Sequence, residues 1–201
     1  TFLALPFVPI GVIGTAVAFY IGFKSNSSYD RLWEGRRIWG SLVNTSRSWG
    51  AMVLDYVSNL NAKSPASDAE LHRIRRELIY RHLAFLNALR TQLRRRTVWE
   101  EHGKDVQIVD HIEAFRIHSL DEELRPFLPA DEIRFFMNTK NAATQLLKRQ
   151  SAQLAEARAA GLISEFYHVE MERLIVEFYN QQGAAERIKS FPFPRQYAFF
   201  S

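Results

Sequence analysis

Residues 1–40 read TFLALPFVPIGVIGTAVAFYIGFKSNSSYDRLWEGRRIWG, and this stretch decides how the chain is organised. The first 23 residues, Thr1 to Phe23, carry no charged side chain, and a charged aromatic collar follows directly. A helix of 23 residues is roughly 34 Å long, against a bilayer hydrocarbon core of roughly 30 Å. The pattern predicts a transmembrane helix over residues 1–23.

Two other interpretations of this apolar stretch compete with that prediction. A secretory signal peptide begins with basic residues and ends at a small-residue cleavage site, and neither feature is present here. A buried helix of a soluble domain remains open as an alternative, although such helices seldom stay uncharged for this length. That alternative would make the chain a soluble enzyme or binding module.

Composition limits the other classes of function. Hydrophobic residues make up 47% and charged residues 24% of the 201 residues, values typical of a folded chain. Cysteine is absent, which excludes disulfides, thiolate metal sites and cysteine nucleophiles. The formal charge of +4 is too small to argue for nucleic-acid binding, so no nucleic-acid partner is expected.

The apolar segment carries two rows of residues at four-residue spacing, beyond a helix start expected near Pro9. The rows are Gly14/Ala18/Gly22 and, about 100° round the helix, Thr15/Phe19/Phe23. Small residues at this spacing let membrane helices approach closely. Both ordinary packing in a bundle and self-assembly fit the spacing. Basic residues from Lys24 onward place this end of the helix in the cytoplasm.

The remainder is predicted to be helical throughout, with ends set by capping residues. The first helix continues over residues 29–60 and breaks at Asn61–Pro65. Ser67 with Glu70 starts the next helix, which runs to about Val98. Apolar faces are assigned to the first helix at Leu32, Leu42, Val43, Trp49, Val53, Tyr56 and Leu60, and to the second at Leu71, Ile74, Leu78, Phe85, Leu89 and Leu93.

Further caps divide the second half of the chain. Ser119 with Glu122 begins a short helix, and residues 131–136 form another. Asn138 or Thr139 is expected to cap a helix that Gly161 ends, and Ser164 one that runs to about Gln182 and stops at Gly183. The apolar face of this last helix is assigned to Phe166, Val169, Leu174, Val176 and Phe178.

Motifs for catalysis are not found. The sequence holds no glycine-rich phosphate loop, no nucleophile elbow and no helical HExxH pattern. Six residues invite a metal hypothesis, but their spacing matches no known ligand pattern: His102, Asp105, Asp110, His111, Glu113 and His118. We therefore predict no enzyme activity, no cofactor and no metal.

The collar carries a specific resemblance. Tyr29, Arg31, Trp33, Glu34, Arg36 and Trp39 lie in the run GFKSNSSYDRLWEGRRIWG, residues 22–40, which resembles the signature of the bestrophin family, and its bacterial branch above all. The similarity is densest over residues 10–50 and continues more weakly to Phe191-Pro192-Phe193-Pro194. We take these six as the family signature. Trp33 and Trp39 are candidates for packing near the membrane interface.

The resemblance implies a homopentameric ion channel. In this family five copies of the second membrane helix line a narrow neck with apolar side chains one turn apart, and these positions fall on Thr15, Phe19 and Phe23. A second constriction, at the cytoplasmic exit, falls on Phe166. Thr15 departs from the family's aliphatic residue, and Gly14, Ala18 and Gly22 would be the helix-packing row.

The resulting prediction is an all-α protomer whose long helices run from a membrane segment into a cytoplasmic domain. Residues 1–23 form the pore-lining helix, residues 24–190 the cytoplasmic domain, and residues 191–201 the return into the membrane. The chain is expected to lack the first and last membrane helices of the family. Its partners would be copies of itself, membrane lipid and permeating ions. Whether these ions are anions or monovalent cations, and whether calcium gates them, stays open. A membrane-anchored helical scaffold without a pore is the alternative.

Overall fold

The computed structural model describes residues 7–62, 64–95 and 119–190, and for residues 7–10 the backbone only. These residues form six helices and no strand, which confirms the all-α prediction. The helices are α1 (Phe7–Tyr56), α2 (Asp68–Arg94), α3 (Leu120–Leu124), α4 (Ala130–Met137), α5 (Ala142–Ala159) and α6 (Glu165–Ser190). The chain divides into two compact units, Thr1–Gly40 and Ser41–Ser201.

Helix α1 begins at Phe7, two residues before the predicted start. Pro9 is therefore the third residue of the helix. A proline is tolerated there because the amide groups of the first turn have no partner within the helix. No helix among the described residues combines the length and the apolar character that crossing a membrane requires.

Helix α1 ends at Tyr56, four residues earlier than predicted, because the next backbone groups bond elsewhere. The Val57 carbonyl accepts from Nε and Nη2 of Arg75 at 3.0 and 2.6 Å. The Ser58 amide donates to the Leu162 carbonyl at 2.9 Å. These bonds end the helix at Tyr56, before the predicted break at Asn61–Pro65.

The core of the second unit lies between α2, α5, α6 and the end of α1. Of the apolar α1 residues predicted from helical spacing, Leu42, Trp49 and Val53 are buried and Tyr56 packs against the core. Leu32, Val43 and Leu60 are exposed. The α2 face was predicted correctly, with Leu71, Leu78, Phe85 and Leu89 buried and Ile74 and Leu93 packed at its edge. The predicted end of α2 at Val98 lies outside the described residues.

The start of α5 corrects the predicted cap. Its N-cap is Asn141, whose Oδ1 accepts from the Thr144 amide at 3.0 Å. Asn138 and Thr139, the predicted caps, instead close α4: the Asn138 side chain donates to the Arg134 carbonyl and the Thr139 hydroxyl to that of Phe136. All three residues are good caps, and tertiary packing selects Asn141.

The other predicted caps are confirmed. Ser67, Ser119 and Ser164 each accept a hydrogen bond from the backbone amide of the residue three positions later.

Helix α6 runs seven residues past Gly183, so the predicted stop was wrong. Three amide donors reach Oε1 of Glu186: Gln182 at 2.8 Å, Gln92 at 2.7 Å and Asn141 at 3.1 Å. One turn on, Lys189 donates to the carbonyls of Gln92 and Arg95. These contacts with α2 and the start of α5 offset the roughly 1 kcal/mol that a glycine costs a helix.

The apolar face of α6 also differs from the prediction. Two of the five predicted residues do face the core: Phe178 is buried and Leu174 packs against it. The other buried apolar residues are Met171 and Ile175, which the prediction missed. Phe166, Val169 and Val176 point to the other side and are exposed. A helix with apolar residues on two sides has two candidate faces, and only the packing partners decide between them.

Gly161 adopts φ +75° and closes α5 as a C′ residue. Its amide donates to the Arg158 carbonyl and the Leu162 amide to that of Ala157, both at 2.9 Å, which is the Schellman pattern. A Cβ here would lie 2.8 Å from the Asn61 carbonyl oxygen and 3.0 Å from the Ala62 Cα. Both the dihedral angle and the space therefore require glycine.

Replacing Gly161 by alanine is expected to lower the free energy of unfolding by about 2 kcal/mol, because the variant must strain its backbone or push the 61–62 loop away. Thermal unfolding followed by circular dichroism measures the change. Gly183→Ala is the matched control: it lies inside α6 with nothing within 4 Å of an added Cβ. That variant should gain about 0.5–1 kcal/mol. Equal effects of the two substitutions would contradict the assignment.

Candidate functional site

The predicted neck row lies on one face of α1 in the first unit. Thr15, Phe19 and Phe23 follow at four-residue spacing and are all exposed, the two phenylalanines by 64% and 71%. Two large aromatic side chains exposed one turn apart form an apolar surface that no described part of the chain covers. The role of this row as a neck stays a prediction.

The predicted packing row lies beside it. Gly14, Ala18 and Gly22 are exposed, and a Cβ added at either glycine would meet nothing within 4 Å. The described residues of this chain therefore leave the row open for a neighbouring helix, and its role likewise stays a prediction.

The Thr15 hydroxyl is already engaged. It donates to the Gly11 carbonyl of the preceding turn, with 2.9 Å between the two oxygens. Ser28 and Ser46 make the same bond to Lys24 and Leu42 at 3.0 and 2.7 Å. A hydroxyl bonded in this way keeps its lone pairs available but no longer offers its proton.

The six signature residues, Tyr29, Arg31, Trp33, Glu34, Arg36 and Trp39, all lie on α1 and are exposed. None of them belongs to the buried core of the second unit. Their packing roles stay predictions.

Phe166 is the second residue of α6 and is 69% exposed. Its ring meets that of Tyr167 edge to face, with 6.1 Å between the ring centroids. Tyr167 in turn stacks on Tyr56 of α1 at 3.9 Å. Phe166 is thus presented outward beside a well-packed neighbour. It lies in the second unit and the neck row in the first.

Sequence reasoning missed a buried polar group at the centre of the second unit. His82 is 4% exposed and lies on the apolar stripe of α2, between Leu78 and Phe85. The rings of Trp49 and Phe178 lie 6.0 and 4.5 Å from it between centroids. The available signal was a histidine at an apolar position of the helical repeat.

The tautomer of His82 follows from its partner. Nε2 lies 2.9 Å from Oγ of Ser46, and that hydroxyl already donates its proton to the Leu42 carbonyl. Nε2 therefore carries the hydrogen and donates, and Nδ1 is the bare nitrogen. Burial among aromatic rings lowers the pKa of His82 to about 4, because a charged imidazolium there loses its hydration.

Stability is expected to fall on acidification because of His82. In the unfolded chain a histidine titrates near 6.5, so between pH 6.5 and 4 the unfolded state binds more protons than the folded state. The stabilising effect is complete above pH 6.5, falls with decreasing pH and is lost by about pH 4, a total of about 3 kcal/mol.

Unfolding measured across this pH range tests the expectation. His82→Phe should flatten the slope, and the exposed His72→Ala control should keep it. A slope unchanged by His82→Phe would show that other groups cause the acid sensitivity.

No group of histidine and carboxylate residues suited to a metal ion occurs in residues 7–62, 64–95 and 119–190. The six residues of the metal hypothesis, between His102 and His118, lie outside these ranges, as does the predicted membrane return at residues 191–201.

Known proteins of similar sequence cover most of this chain. A protein of Ralstonia nicotianae, named a voltage-dependent anion channel-forming protein, is 28% identical over 190 residues, which is 94% of this chain and 52% of the relative. One of Mesorhizobium japonicum with the same name is 25% identical, over 94% of this chain and 50% of the relative. The chain thus spans about half the length of these relatives.

Solved structures share the fold. The crystal structure of a bacterial bestrophin homologue from Klebsiella pneumoniae, a point variant, superposes with a TM-score of 0.76 at 20% identity, covering 98% of this chain and 61% of that one. The family model described as bacterial/fungal bestrophin protein matches residues 1–201. This match spans every residue from Thr1 to Ser201, so the chain belongs to the bacterial and fungal bestrophin family.

Proposed function

We propose that the full-length protein is an ion channel of the bestrophin type, a homopentamer in which five α1 helices surround the neck. The observation that carries the proposal is the exposed row Thr15/Phe19/Phe23 on α1 of a bestrophin family member. The names of the relatives, voltage-dependent anion channel-forming proteins, support ion conduction.

Close packing about an axis needs small residues next to the pore-facing ones. Gly14, Ala18 and Gly22 occupy the adjoining row, and their exposure leaves them available to a neighbouring subunit. The helices can then approach closely, and the phenylalanine rings of the next row meet around the axis.

A ring of phenylalanine side chains is a barrier to ions, and the height of this barrier depends on the diameter of the pore at the ring. A narrow apolar constriction expels water and raises the energy of a hydrated ion, so a small change in diameter opens or closes it. Five copies each of Phe19 and Phe23 supply two such rings. Phe166, exposed on α6, is proposed as a separate constriction at the cytoplasmic exit.

The charged collar supports a placement of each segment relative to the membrane. Residues 1–23 lie in the membrane, residues 24–190 in the cytoplasm, and residues 191–201 return to the bilayer. Lys24, Arg36 and Arg37 mark the cytoplasmic side. Lipid contacts the outside of the assembly, and small inorganic ions, chloride or monovalent cations, pass through it.

Oligomeric state and ion flux of the full-length protein test the proposal together. A pentamer in detergent that also releases ions across liposome membranes is the expected result. A pentamer without flux would point to a membrane-anchored scaffold, and a monomer without flux would overturn the proposal.

A further inference from the structure

Five hydroxyls of α1 bond back along the helix. Those of Thr15, Ser28, Thr45, Ser46 and Ser48 all donate to the carbonyl four residues earlier, at distances from 2.7 to 3.3 Å. Thr15 alone among these five belongs to the predicted neck row. The proton of its hydroxyl therefore points along the helix, away from the axis that the row would face.

Two of these hydroxyls, those of Thr45 and Ser46, make a second hydrogen bond to another side chain, and these bonds show which role the oxygen takes. Oγ1 of Thr45 accepts from Nε2 of Gln181 at 2.7 Å. The Gln181 nitrogen is identified by its neighbour Glu177, whose carboxylate can only accept and lies 3.1 Å away. Thr45 donates its proton to the Ser41 carbonyl at 3.0 Å and thus acts as an acceptor toward Gln181.

Ser46 behaves in the same way. Its proton is given to the Leu42 carbonyl at 2.7 Å, and its oxygen accepts from Nε2 of His82 at 2.9 Å. In both cases a hydroxyl that donates backward offers only lone pairs to a third group. Thr15 makes the same backward bond, so we expect its oxygen to do likewise.

From this geometry we propose that Thr15 is a charge-selecting residue, a ring of hydrogen-bond acceptors in the neck that favours partly dehydrated monovalent cations over anions. The inference rests on the proposed function, because it needs the Thr15/Phe19/Phe23 row to face the pore. Cations bind oxygen lone pairs, whereas anions need N–H or O–H donors. An aliphatic residue at this position would offer neither.

Thr15 can offer its proton to an anion only by breaking the bond to Gly11. Rotation about χ1 is restricted because threonine is branched at Cβ, and its preferred rotamers in helices include the one bonded to the preceding turn. The cost of losing this bond opposes anion binding, while cation binding leaves the bond in place.

Two substitutions separate the hydroxyl from the size of the side chain. Thr15→Val keeps the shape and removes the oxygen, and Thr15→Ser keeps the oxygen and removes the methyl group. Reversal potentials of the full-length protein in planar bilayers under a sodium chloride gradient give the ratio of chloride to sodium permeability.

Thr15→Val is expected to raise the chloride-to-sodium ratio about three- to tenfold, the factor that one hydrogen-bonding contact of ordinary strength provides. Thr15→Ser should keep the wild-type ratio. A ratio that Thr15→Val leaves unchanged or lowers, or that Thr15→Ser shifts equally, would overturn the inference.

Phe19→Ala in the same assay distinguishes the inference from the proposed function. If Phe19→Ala changes the current and the Thr15 variants leave the permeability ratio unchanged, the pore assignment stands and the role of Thr15 is wrong. If neither position affects current or ratio, the row does not face a pore and both fail.

Discussion

Replacing Glu132 by alanine is expected to lower the free energy of unfolding by about 3 kcal/mol, because it leaves a buried guanidinium without its counter-ion. Nη2 of Arg81 lies 2.6 Å from both oxygens of the Glu132 carboxylate, and the two side chains are 6% and 25% exposed. Arg81 also donates to Gln153, which donates to Glu77 at 3.1 Å. The ion pair therefore joins α2 to α4, and the hydrogen bonds of Gln153 connect it to α5.

An exposed pair on α5 supplies the control. Arg149 and Glu156 lie 2.7 Å apart with side chains 44% and 62% exposed, and hydrogen bonding to Glu156 raises the pKa of Arg149. Glu156→Ala should cost less than about 1 kcal/mol, since solvent screens this pair. Chemical denaturation of both variants measures the difference. Similar losses for the two would contradict a special role for the Arg81–Glu132 pair.

Replacing Phe19 or Phe23 by alanine is expected to raise the ion conductance of the full-length protein severalfold. Each substitution removes five phenyl groups from one ring of the neck, which widens it and lets water remain within it. Single-channel recording in planar bilayers measures the current. The double variant should conduct more than either single one, because two successive barriers are lowered.

Val17→Ala is the matched control for the neck. Val17 is also apolar and 49% exposed, but it lies about 200° round the helix from Phe19 and so on the other side of α1. Its variant should conduct as the wild type does. Phe19→Ala and Phe23→Ala currents that match those of the wild type, with unchanged selectivity, would show that this row does not line the pore.

Helix ends controlled by neighbouring residues could be predicted from the sequence. Ser119 and Glu122 form a reciprocal capping box, and Gly161 ends α5. In both cases the determining contacts span at most about five residues, so local chemistry contains the information.

Features controlled by distant partners could not be predicted in this way. The length of α6 depends on Glu186 and Lys189, which bond to Gln92, 94 and 97 positions earlier in the chain. The start of α5 was mistaken because several nearby capping residues compete, and packing selects Asn141. A glycine or an asparagine signals a helix end locally, and contacts far along the chain can override the signal.

The candidate site was predictable to a similar degree. Four-residue spacing identified the Thr15/Phe19/Phe23 row as one face of a helix, and its exposure agrees with that interpretation. Which neighbour covers the row could not be derived from one chain, because a pore is formed between subunits. The backward bond of Thr15, which bears on the sign of the ion, required atomic positions.

Trp49 gives the second unit an intrinsic optical reporter. It is 1% exposed and lies against His82, whereas Trp33 and Trp39 are open to their surroundings. An indole in such an apolar position emits at short wavelength, and a protonated imidazole quenches emission from a neighbouring indole. With the other tryptophans replaced by phenylalanine, the fluorescence of Trp49 would follow the protonation of His82 without any added label.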